Sequence, residues 1–191
     1  MKHKIKFSLN PTFFAFAAFF LSGDLYFNYL NALMFAFLHE TGHLAAMLLF
    51  GVFPDRIALE IQGIRIDKNN LTLSYCQECV LALAGPVVNL LFMIFFDKSS
   101  LVFIVNSGLF FINLLPLKSL DGGRFLYSFI AMKKDEITAE RVILLSELLT
   151  LCLLIISLAL LLIFRYANMS ISVFTVLLIV AILSDLFSTY G

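Results

Sequence analysis

The chain has 191 residues, of which 61% are hydrophobic and 14% charged, with 13 basic side chains against 13 acidic ones; its mean hydropathy is +0.99. A soluble domain of this length keeps far more charge on its surface, so the composition excludes one and describes an integral membrane protein. The sequence carries no nucleic-acid signature, and its three cysteines supply no disulfide framework.

Apolar stretches near 10–22, 27–50, 76–96, 101–117, 143–164 and 171–187 predict about six transmembrane helices. The first is short, because roughly 13 residues at ~1.5 Å each reach ~20 Å against a hydrocarbon core of ~30 Å. Charge placement favours counting it as a span. With six spans Lys2, Lys4, Lys6, Arg56, Arg65, Lys68, Lys118, Arg124, Lys133, Lys134 and Arg141 share one side, leaving Lys98 and Arg165 on the other. Without it the split is five against eight, so the positive-inside rule predicts six spans with both termini cytoplasmic. There is no internal repeat or long linker, and the chain reads as a single membrane domain over 1–191.

The second span contains FLHETGHLAAMLLFG at 37–51. His39 and His43 are four residues apart and lie on one helix face in successive turns, with Glu40 beside them. H-E-x-x-H is the spacing by which zinc hydrolases hold a metal on two imidazoles and use the glutamate to take a proton from water. A polar cluster that merely bonds neighbouring helices is the plain alternative. Ionisable groups near the centre of a membrane cost at least ~2.5 kcal/mol each, which weighs against it. The only other histidine is His3, ahead of the first span, so a third ligand is sought among the acids in or beside spans: Glu78, Asp121, Glu147 and Asp185.

Between the second and third spans, Ile57, Leu59 and Ile61 alternate with Ala58, Glu60 and Gln62. The phase shifts at Gly63, Ile64 and Ile66 resume it, and Lys68-Asn69-Asn70 precede Leu71-Thr72-Leu73. The pattern predicts a short β-hairpin: a strand bulged at Gly63, a turn at 68–70 and a second strand. If the zinc-hydrolase spacing acts on a peptide, an edge strand beside it offers ladder groups to an extended substrate, which makes Leu59 and Ile61 candidate substrate-binding residues.

The third span opens on Cys76 and Cys79, read as two small side chains at an interface because no second pair exists to complete a zinc site. It continues into AGPVVN at 84–89, where Ala84 and Gly85 permit close helix approach and Pro86 loosens the ladder. Asn89 then turns a carboxamide inward, either to bond a neighbouring helix or to serve the substrate backbone and the oxyanion formed on attack. Asn113, near the end of the fourth span, carries the same two readings. It opens NLLPLKSLDGGRF at 113–125, in which Asp121 is followed by two glycines. Alone, Asp121 reads as a capping residue in a D-G-G turn. Glu147 reads as interfacial, with Glu140 and Arg141 close by in sequence.

HETGH at 39–43, AGPVVN at 84–89 and NLLPLKSLDGG at 113–123, in that order, resemble the motifs of the site-2 proteases, zinc metalloproteases that cut inside or next to transmembrane helices. The core motifs fall within 27–123. The resemblance implies one Zn2+ per chain held by His39, His43 and Asp121 on the cytoplasmic half of the bilayer, with Glu40 as the catalytic acid and base. It also implies a membrane-tethered protein substrate, a cytoplasmic product such as a transcription factor, and a regulatory membrane protein as partner. The six-span layout is most similar to the branch containing stage IV sporulation protein FB, which places the chain in a bacterial cell membrane. The CBS domain that many members of that branch carry has no counterpart in this sequence. Two alternatives stay open: a silent protein of the same fold that binds transmembrane segments, and a zinc protease of the CAAX-processing type using Glu147 as a ligand.

Overall fold

A computed structural model describes residues 6–9, 26–52, 54–60, 63–68, 73–163, 175–176, 179–180 and 182–183. The elements within these are β1 (Lys6–Leu9), α1 (Tyr26–Leu49), β2 (Pro54–Glu60), β3 (Gly63–Lys68), α2 (Tyr75–Phe95), α3 (Leu101–Asn113), α4 (Asp121–Lys133) and α5 (Glu136–Ile163). Among the described residues, three helical segments are long and apolar enough to cross a membrane: Asn31–Leu49, Tyr75–Phe95 and Glu136–Leu160. They match the expected second, third and fifth spans. The expected fourth span is the shorter helix α3, and the expected first span, with most of the sixth, lies outside the described residues. The chain divides into two compact units, Met1–Leu114 and Leu115–Gly191.

In the first unit, α1 packs along α2, and α3 along both. The α1–α2 approach depends on Gly42, inside the HETGH run: a Cβ there would lie 2.5 Å from the Ala84 carbonyl oxygen and 2.8 Å from Val88 Cγ2. One helix backbone therefore rests on the other, as small residues allow between membrane helices. Below this contact Ala46, Met47, Val52 and Leu81 form a buried cluster flanked by Phe50, Leu73 and Ala84. Above it Phe35 meets Phe92 edge to face at 5.0 Å. Gly51 ends α1 in the left-handed conformation, φ 71°, with Val52 N–H donating to Met47 O at 2.9 Å and Gly51 N–H to Leu48 O at 3.0 Å. These are the two bonds of a Schellman closure. Ser74 starts α2 with a capping box, accepting from Gln77 N while the Gln77 side chain accepts from Ser74 N. Ser100 starts α3 by accepting from Phe103 N at 3.2 Å.

The strands form one sheet in the order β1-β2-β3. β1 runs parallel to β2, and β2 antiparallel to β3 with Glu60 opposite Gly63 and Leu59 opposite Ile64. This corrects the expected register. Gly63, which reads as a bulge, instead opens the antiparallel partner strand, and the stretch up to Lys68 is the second strand. The expected partner strand at 71–73 begins in residues outside the description.

In the second unit α4 packs on α5. Hydropathy misses α4 because Arg124, Ser128 and Lys133 interrupt its apolar residues, so no long window stands out. A Cβ on Gly123 would lie 2.0 Å from Leu117 O, so only glycine lets the first turn of α4 sit on the loop before it. Asp135 caps α5, its two carboxylate oxygens accepting from Thr138 N at 2.7 Å and Thr138 Oγ1 at 2.9 Å.

Candidate metal centre

His39 and His43 are buried on α1, and their Nε2 atoms lie 3.2 Å apart. Their outer ring nitrogens are both engaged. His43 Nδ1 donates to the Leu81 carbonyl oxygen at 2.8 Å, in the turn of α2 that Pro86 loosens just beyond. His39 Nδ1 bonds Asn89 Oδ1, and the direction of that bond can be traced from the backbone. Val102 O can only accept, and it takes a hydrogen bond from Asn106 Nδ2 at 2.8 Å. Asn106 Oδ1 is thereby turned to Asn89, whose Nδ2 donates to it at 2.9 Å. Asn89 Oδ1 is then left to accept from His39 Nδ1–H.

Both rings thus donate through Nδ1, which leaves Nε2 of each as the atom free to ligate a metal. The two Nε2 atoms face each other at 3.2 Å, close enough for one cation to be held between them. For one zinc ion with nitrogens at ~2.1 Å and a tetrahedral angle, the two nitrogens stand ~3.4 Å apart. The observed spacing fits that requirement. Gly85 faces the same point: a Cβ there would lie 2.3 Å from His43 Nε2 and 2.5 Å from His39 Nε2. The absent side chain is the room beside the nitrogens. Glu40, next in sequence to His39, is partly exposed.

Asp121, in the second unit, is the first residue of α4, with Leu120 rather than Asp121 at the cap position. It is buried, and Arg124 Nη1 approaches its Oδ1 to 3.8 Å. Asn113 Nδ2 donates to Leu109 O of its own helix at 3.0 Å. Leu59 lies in the central strand β2, and Ile61 is outside the described residues. Asn89 is fully buried and holds His39 and Asn106, so its geometry is that of a histidine-orienting group. Asn106 escaped the sequence reading. Its signal was there in NSGLFFIN, 106–113, where it stands two turns before Asn113 on one face of an otherwise apolar helix. Cys76 is exposed and Cys79 buried, and neither is in a disulfide among the described residues.

Neither a family model nor a curated protein sequence matches the chain. Among solved structures, a site-2 protease from Methanocaldococcus jannaschii shares the fold, with a TM-score of 0.67 over 96% of this chain and 92% of that one, at 20% identity. The chain therefore shares the fold of that structure, and its apolar helices fit a membrane protein.

Proposed function

We propose that the protein is an intramembrane zinc endopeptidase that hydrolyses a peptide bond in or next to a transmembrane helix of a membrane-tethered protein. The observation that carries the reading is the His39–His43 pair, two buried Nε2 atoms 3.2 Å apart, with Glu40 next in sequence to His39. His39, His43 and Asp121 would hold one Zn2+. The buried carboxylate that opens α4 in the LDGG run supports Asp121 as the third ligand, and the fold likeness spans both units. When bound, the ion supplies a Lewis acid and a water acidified towards neutral pH.

The remaining work falls to this chain's own groups. Glu40 takes the proton of the attacking water and returns it to the departing amide nitrogen. The Asn106–Asn89 relay and Leu81 O hold both imidazoles through Nδ1, which leaves Nε2 of each free to ligate the ion. Burial of the two histidines excludes bulk water, which strengthens every charge interaction at the site. A peptide bond within a helix is shielded by its neighbours, so the substrate is unwound before attack.

The wider setting belongs to the same proposal: six spans with both termini cytoplasmic in a bacterial cell membrane, a product released to the cytoplasm such as a transcription factor, and control by another membrane protein. Co-expression with tethered candidate substrates, followed by electrophoretic mobility, tests it. Wild type should produce the shortened product, whereas Glu40→Gln should yield none while retaining zinc, because an amide cannot carry the proton. Equal cleavage by Glu40→Gln and wild type would refute the proposal.

A further inference from the structure

Glu147, like Asp121, is a buried acid among the described residues of the second unit, 3% exposed on α5, and Glu40 and the histidines leave it without a task. An acid in a membrane-spanning helix is costly to keep, which asks for a reason. Its Oε1 accepts from the Lys118 backbone N–H at 2.9 Å. The preceding residue on the helix, Ser146, places Oγ 2.8 Å from both Pro116 O and Ile143 O, so its proton is shared between the loop and its own helix. Adjacent side chains of one helix therefore grip a carbonyl and an amide two residues apart in the loop. Between these points Leu117 is buried, and Gly123 rests on its carbonyl oxygen. Leu120 N–H donates to Leu117 O at 2.9 Å, and Asp121 follows at once.

We propose that Glu147, with Ser146, is the positioning residue that sets Asp121: it clamps the PLKSL loop at Lys118, three residues before the carboxylate. The inference rests on Asp121 being a zinc ligand, as proposed above. The loop's irregular backbone needs partners where water is scarce. Two bonds of opposite polarity also fix its register, because a slide by one residue would set an acceptor against a carbonyl. A ligand misplaced by a fraction of an ångström binds metal poorly, so the clamp is read out as metal affinity. Glu147 acts here as a hydrogen-bond acceptor, which separates this role from that of a ligand in the CAAX-type alternative.

The test is zinc affinity of the purified full chain, by competition with a chromophoric chelator, and turnover of a tethered substrate. Glu147→Leu should weaken zinc binding roughly 10- to 100-fold, and at saturating zinc should lower kcat more than KM. Glu147→Gln, whose Oε1 can still accept from Lys118 N, should stay within about threefold of wild type. Ser146→Ala, a milder change that covers the case in which Glu147→Leu fails to fold, should weaken zinc binding about tenfold. A Gln variant as poor as Leu would show that the acid itself is used and overturn the positioning role. Wild-type affinity in Glu147→Leu or Ser146→Ala would overturn the clamp. Asp121→Asn is measured alongside: if it keeps full affinity, the ligand assignment fails, whereas loss there with none at Glu147 sinks only the clamp.

Discussion

Asn89 Nδ2 donates to Asn106 Oδ1 at 2.9 Å, and this one bond between α2 and α3 decides which way the Asn89 amide faces His39 on α1. Asn106→Leu removes the acceptor and lets Asn89 present either end to the ring. Zinc affinity should then fall roughly 10- to 100-fold, the usual cost of losing a partner behind a ligating histidine. Asn89→Leu should cost as much, and the double variant little more than either, because both act on one bond to His39. Chelator competition on the four proteins gives the cycle. Losses that add in the double variant would mean that the two amides act separately.

The two glycines of the α1–α2 contact should fail in different ways. Gly85→Ala places a methyl group 2.3–2.5 Å from both Nε2 atoms, so the rings must turn and zinc binding should be lost while the helices stay paired. Gly42→Ala meets the Ala84 carbonyl oxygen at 2.5 Å, a backbone atom that cannot turn aside. The helices must part, costing about 1–3 kcal/mol as overpacking does. Thermal melts without zinc separate the two: Gly42→Ala should melt well below wild type, and Gly85→Ala close to it.

What could be read from the sequence divides along physical lines. HETGH at helical spacing needs only the 3.6-residue period to put His39 and His43 together, and both were legible. The carriers of orientation were harder. Asn89 bonds a residue 50 positions away and Asn106 one 17 positions away, and no local pattern states which amide reaches which ring. α4 was missed because a short helix with Arg124, Ser128 and Lys133 in it does not register in a window tuned to bilayer thickness. Gly63 was seen but misread, since a break in alternation is common to a bulge and the start of a partner strand; only the pairing of Glu60 with Gly63 separates them. The buried place of Glu147 likewise depends on Lys118, 29 residues earlier.

Asp135 gives a pH prediction outside the spanning helices. Bonds from the Thr138 backbone N–H and hydroxyl, with smaller help from Ile137 N–H and Arg141, hold its carboxyl below the usual 3.8. A group whose folded value is depressed stabilises above its unfolded value and loses that stabilisation as pH falls through the folded one. Asp135→Ala should therefore melt below wild type near pH 7, and the gap should narrow progressively as pH falls from about 4. Asp135→Asn, whose oxygen can still cap Thr138, should fall between them. A gap unchanged between pH 7 and pH 3 would mean that the cap contributes nothing through its charge.

The sheet beside α1 yields the last prediction. The sequence reading placed a substrate platform at Leu59 and Ile61, but Leu59 is paired with Leu9 of β1 on one side and Ile64 of β3 on the other. A substrate strand must then add to an outer strand. β3 is the better candidate, because it is longer than β1 and packs against α1, the helix that carries His39 and His43. In an antiparallel ladder successive amides point alternately to the partner strand and away from it. Proline, which removes the amide proton, should therefore have effects that alternate along Ile64, Arg65, Ile66 and Asp67. At positions whose N–H faces β2, proline should lower folded yield. At those between, folded yield and zinc content should hold while turnover of a tethered substrate drops at least tenfold, the loss expected when a ladder bond to substrate is removed where water is scarce. Leu59→Pro, inside the sheet, should behave as a folding variant. Normal cleavage by the two outward-facing proline variants would show that the substrate finds its backbone partners elsewhere, and the sheet would be left as a structural support of α1.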